Sequence, residues 1–81
     1  MVMKLKFKRS LGESAFGSVD VFRADGDLST YKVVEDTFVD GDYTLEVYRY
    51  DEAFRAFPDG KVFRGLSKGE AMDLAQELEN D

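Results

Sequence analysis

The chain has 81 residues, a formal net charge of −6, and neither cysteine nor histidine. Without cysteine there are no disulfides, thiolate nucleophiles or cysteine-ligated metals, and without histidine the commonest neutral-pH base and metal ligand is missing. An 81-residue chain fits one domain with a thin core, and its 43% hydrophobic content is enough for it to fold. No enzymatic activity and no cofactor are expected from this inventory.

Charge is laid out unevenly. Residues 1–9 carry Lys4, Lys6, Lys8 and Arg9 with no acid, a charge of +4, and the remainder carries −10. The densest acidic stretch, residues 35–52, holds Glu35, Asp36, Asp40, Asp42, Glu46, Asp51 and Glu52 against Arg49 alone. Such a field repels nucleic acid and anionic membranes and draws basic partners, although acids also serve solubility alone.

In chain order, Met3, Leu5 and Phe7 alternate with Lys4, Lys6 and Lys8, so residues 2–8 are predicted to form a strand with one lysine face. This interleaving differs from a signal peptide, and no apolar run is long enough to span a membrane, which makes the cytoplasm the expected location. Residues 9–17, with Ser10, Gly12, Ser14 and Gly17, are predicted as a loop. Residues 18–24 and 28–35 form a predicted hairpin about Asp25-Gly26-Asp27. In the strand predicted for residues 43–50, Tyr43, Leu45 and Val47 share one face, and Thr44, Glu46, Tyr48 and Tyr50 the other. Residues 53–57 and 61–65 flank Pro58-Asp59-Gly60, a second hairpin signal. Ser67-Lys-Gly-Glu70 is a capping box, and Ala71, Leu74, Ala75 and Leu78 follow at helical spacing. The helix ends in Glu77, Glu79 and Asp81, unfavourable for its dipole, which extends the acidic surface.

The expected fold is therefore a single α+β domain: an antiparallel sheet of four to five strands with one C-terminal helix on a face. Eleven aromatic residues under so little helical cover place Tyr48, Tyr50 and some of Phe22, Phe38 and Phe54 on the open face or its rim. That implies a partner or a homodimer, unless sheet curvature buries them.

Leu11-Gly-Glu-Ser-Ala-Phe-Gly-Ser-Val19 resembles the glycine-rich loop of protein kinases, and Tyr31-Lys-Val-Val34 loosely resembles that family's lysine strand. The resemblance implies loop amides over nucleotide phosphates, with Lys32 as the contacting lysine. Ser14 replaces the central glycine, however, and the catalytic-loop and metal-binding aspartate motifs are missing. The Asp-Gly-Asp pairs lack the remainder of a calcium loop and read as turns, so no metal site is expected. From Tyr43 onward the outline is similar to three-stranded DNA-binding modules such as integrase arm-binding domains, but those read DNA with a basic sheet and this strand carries Glu46.

The preferred expectation is a small acidic non-catalytic binding protein. It would act as an inhibitor or modulator of a basic, nucleic-acid-handling host or cellular protein through a nucleic-acid-mimicking surface. A phage or mobile-element setting suits that role. Tyr48 and Tyr50 would supply contact area, with Glu35, Asp36, Asp40, Asp42, Glu46, Asp51 and Glu52 steering the target. The alternatives are nucleic-acid binding through Lys4, Lys6, Lys8 and Arg9, joined by Arg55 and Arg64, and nucleotide-phosphate binding by the glycine loop 12–17.

Overall fold

The computed structural model describes the backbone of residues 4–14, 17–39, 41–50 and 56–81, and the side chains of all of these except Ser14, Tyr50 and residues 56–60. Five strands, β1 (Lys8–Ser14), β2 (Gly17–Asp25), β3 (Ser29–Glu35), β4 (Tyr43–Tyr50) and β5 (Ala56–Leu66), precede one helix, α1 (Lys68–Asn80). The strands form one antiparallel sheet in chain order, β1-β2-β3-β4-β5. The helix packs on β3, β4 and β5, which makes this an α+β fold.

Alternation along the central strands decides which face is sealed. Tyr31 opposes Val47 and Val33 opposes Leu45, while Phe22 and Ala24 of β2 oppose Val33 and Tyr31. These residues form a core with Leu5, Ala71 and Ala75, and Val33, Leu45 and both alanines are fully buried. Alanine at the two contact positions lets the helix approach the sheet closely, and Leu74 and Leu78 flank the seam half-buried. The capping box is present: the Glu70 amide donates to Ser67 Oγ at 3.1 Å, and the Ser67 amide donates to Glu70 Oε1 at 3.0 Å. These bonds satisfy two amides at the helix start and hold the Glu70 carboxyl below its usual range.

Three local expectations are corrected. Residues 4–7 are outside the sheet, whereas the stretch read as a loop supplies β1. The apolar alternation in residues 4–8 is real, but it serves the helix. Leu5 is buried in the core, and its amide donates to Gln76 Oε1 at 2.8 Å. Strand pairing needs only backbone groups, so the polar stretch from Lys8 to Ser14 pairs with β2, Gly12 opposite Val19. A Cβ at Gly12 would lie 2.9 Å from Val21 Cγ2, so this glycine permits close packing within a strand. The nucleotide-loop candidate is accordingly a strand and a hairpin, with Ser14 opposite Gly17.

Pro58-Asp59-Gly60 is not a hairpin turn either. Tyr48 opposes Pro58 and Val47 opposes Lys61, so Asp59 and Gly60 form a bulge inside one continuous strand. A proline without an N–H is tolerated there because β5 is a sheet edge. Finally, Glu79 does not simply add to the acidic surface. Its Oε1 accepts from the Tyr31 hydroxyl at 3.0 Å and its Oε2 from the Asp27 amide at 2.9 Å, clamping the β2–β3 turn to the end of the helix. A side chain at Gly26 would run into this carboxylate. Burial, reinforced by Glu79, pushes the Tyr31 hydroxyl up to about 12.

Candidate functional site

The sheet face away from the helix is set by the other half of each alternation. Across it runs the row Lys8, Arg23, Lys32, Glu46 and Val62, flanked by the rows of Val21, Val34 and Thr44 and of Asp25, Thr30 and Tyr48. Among the described residues, no member of the core cluster belongs to this face. Along this row the cations stand on β1, β2 and β3 and the carboxylate on β4.

A concave surface of about 380 Å³ lies at the acidic end. Its walls carry Glu13, Glu35, Asp36 and Glu46, with Arg64 as the cation, and Val19, Val34 and Val62 supply apolar surface. Phe38 stands at the rim 80% exposed, and Val39 beside it is half exposed. Large apolar side chains left in water beside a charged hollow are the usual anatomy of a protein-contact surface.

Local hydrogen bonds explain how the loop presents Phe38. Asp36 Oδ1 accepts the amides of Phe38 at 2.7 Å and Val39 at 3.1 Å, an Asx turn. The Asp36 amide donates to the Asp42 carbonyl at 2.9 Å, and the Asp42 amide donates to the Val39 carbonyl at 3.3 Å, closing the loop between β3 and β4. Glu35 Oε1 accepts weakly from the Asp20 amide at 3.4 Å. Glu46 Oε1 accepts the Tyr48 hydroxyl at 2.7 Å, which pushes that hydroxyl up to about 12, with burial contributing second. Lys32 Nζ lies 4.9 Å from the centre of the Tyr48 ring, a cation–π contact. Lys32 is thus held on the open face of β3, next in register to Arg23.

Of the expected partner-binding residues, Glu35, Asp36 and Glu46 come together in the concavity. Tyr48 is half-buried beside Glu46 under Lys32, so it offers an edge rather than a free ring. Asp42 closes the loop through its backbone and does not line the hollow. Asp40, Asp51, Glu52 and the side chain of Tyr50 lie outside the described residues, as do Phe54 and Arg55. Glu13, Val62 and Arg64 were missed as contributors because they are distant in sequence and only pairing brings them in. Phe38 had a signal: an aromatic in an acidic loop without alternation around it. Phe22 belongs to the helix side, 6.5 Å from the Tyr43 ring centre and beneath Lys68.

The basic strip is also revised. Arg9 turns to the opposite face from the lysines, where its Nη2 meets Asp20 Oδ1 at 2.8 Å. Among the described residues no group of three His, Cys, Asp or Glu side chains is arranged to hold a metal ion, and no helix is long and apolar enough to cross a membrane. Comparison of the chain with protein-family models, curated proteins and solved structures finds no match.

Proposed function

We propose that this chain is a non-catalytic binding protein that engages a basic protein surface through the hollow bounded by Glu13, Glu35, Asp36 and Glu46. The carrying observation is the convergence of four carboxylates with a water-exposed Phe38 on one concave surface. None of the four makes an ion pair with a described residue, so their charge is available to a partner. Carboxylates gathered on one surface steer a cationic target, while Phe38 supplies the apolar area that long-range charge cannot. Inhibition or modulation of a nucleic-acid-handling protein, with carboxylates in place of phosphates, is the form of this function that the charge favours.

The test is affinity capture with the wild-type chain and with an E13K/E46K variant, at two ionic strengths. A basic protein retained by the wild type at low salt, weakened at high salt and lost with the variant is the expected result. Equal retention by both chains would place the interaction elsewhere.

A further inference from the structure

A second concave surface, of opposite charge, lies at the β1 edge beside the C-terminal end of β2. It is about 340 Å³ and is lined by Lys4, Lys6, Lys8, Arg23 and Asp25. Three features make it more than a set of surface lysines.

The first is anchoring. Residues 4–8 alternate exposed and covered positions, with Leu5 in the core, Phe7 packed against it, and the Leu5 amide bonded to Gln76. An extended segment fixed by its odd positions must present Lys4, Lys6 and Lys8 on one side, about 6.6 Å apart. Flexible four-carbon stems let ammonium groups at that pitch converge on one small polyanion.

The second is a preset guanidinium. Arg23 stands opposite Lys8 in register, and its Nε donates to Asp25 Oδ1 at 3.3 Å. Asp25 is itself held by the Thr30 hydroxyl at 2.9 Å. The remaining Arg23 nitrogens have no partner among the described residues. Neither have the three lysine ammonium groups. Four cations against one carboxylate, already engaged, form an anion-seeking hollow.

The third is the sign of everything around it. Residues 10–81 carry −10, so a long polyanion leaving the groove would run over repelling surface within a Debye length of about 8–10 Å. A volume of about 340 Å³ suits a compact ligand instead.

We propose that this groove binds a compact oligophosphate, on which the lysine ammonium groups converge and of which Arg23 takes one phosphate by the fork that Asp25 leaves open. The site is separate from the glycine stretch at 12–17 and from the acidic hollow.

The test is an amide NMR titration of the full chain with tripolyphosphate at low ionic strength, paralleled by a thymidine oligonucleotide at equal phosphate concentration. Shifts confined to residues 4–8 and 23–25 are expected, with tripolyphosphate binding the more tightly. Lys6→Glu should weaken it about tenfold. Lys61→Glu, an equal charge change at an exposed site on β5, should weaken it far less. Absence of shifts, equal losses for the two variants, or tighter binding of the oligonucleotide would each overturn the proposal. Both lysines are exposed, so the variants keep the fold, which the unchanged dispersion of the remaining amides verifies.

Discussion

On the helix side, β3 and β4 present Tyr31, Val33, Leu45 and Val47 to Ala71 and Ala75, all nearly sealed from water. On the other side the same strands present Lys32, Glu46, Tyr48 and Thr44, all half-exposed. One backbone thus carries two kinds of surface. The first is held by burial, where every methylene counts and polar atoms are tolerated only when paired, as Tyr31 is with Glu79. The second keeps its charges wet, where they contribute little to stability and remain free to meet a ligand.

The comparison can be broken most forcefully at its sealed side. Leu45→Ala removes the largest fully buried side chain among the described residues and should cost about 2–5 kcal/mol, read by denaturant titration. Removing the clamp is next. Glu79→Ala leaves the Tyr31 hydroxyl and the Asp27 amide without their acceptor and should cost about 1–3 kcal/mol, and Glu79→Gln should restore part of it. Ser67→Ala should cost about 1 kcal/mol through loss of the cap. Glu46→Lys, on the open face, should cost no more than about 1 kcal/mol, from the lost Tyr48 hydroxyl bond and a second lysine opposite Lys32, while abolishing capture of a basic partner. An equally large loss of stability from Glu46→Lys as from Leu45→Ala would erase the distinction between the faces.

A pH titration sharpens the same comparison, because both faces contain a tyrosine bonded to a glutamate. Tyr31 and Tyr48 are each raised from 10.0 to about 12 in the folded chain. A group raised on folding stabilises fully below its unfolded value and loses that contribution as pH rises through the folded one. Stability should therefore fall between pH 10 and pH 12. Tyr48→Phe should remove the larger part of this fall, because the titrating hydroxyl itself is gone, and Glu79→Ala the smaller, since burial, the leading cause at Tyr31, stays in place.

The candidate site was legible in part. Charge density alone pointed to residues 35–52, and Glu35, Asp36 and Glu46 do meet there. Density cannot tell which carboxylates are used for turns, however, and Asp36 both closes a loop and lines the hollow. Nor could it supply Glu13, which arrives only through the pairing of β1 with β2. Arg9 shows the converse: adjacent to Lys8 in sequence, it lies on the other face because successive strand residues alternate.

What the chain declares by itself is local. The capping box and the spacing of Ala71, Leu74, Ala75 and Leu78 determine the helix, and the period-two pattern of residues 43–50 determines which face of β4 is buried. These signals involve neighbours within a turn or a pleat, so no distant partner is needed to read them. Tertiary structure decided the rest. It drew residues 4–7 off the sheet onto Gln76, made a strand of a Gly/Ser stretch, and absorbed Asp59 and Gly60 as a bulge. It also turned Glu79 from a helix-end misfit into a clamp. Each of these is settled by backbone hydrogen bonding or a carboxylate contact between residues far apart in sequence, which no local pattern encodes.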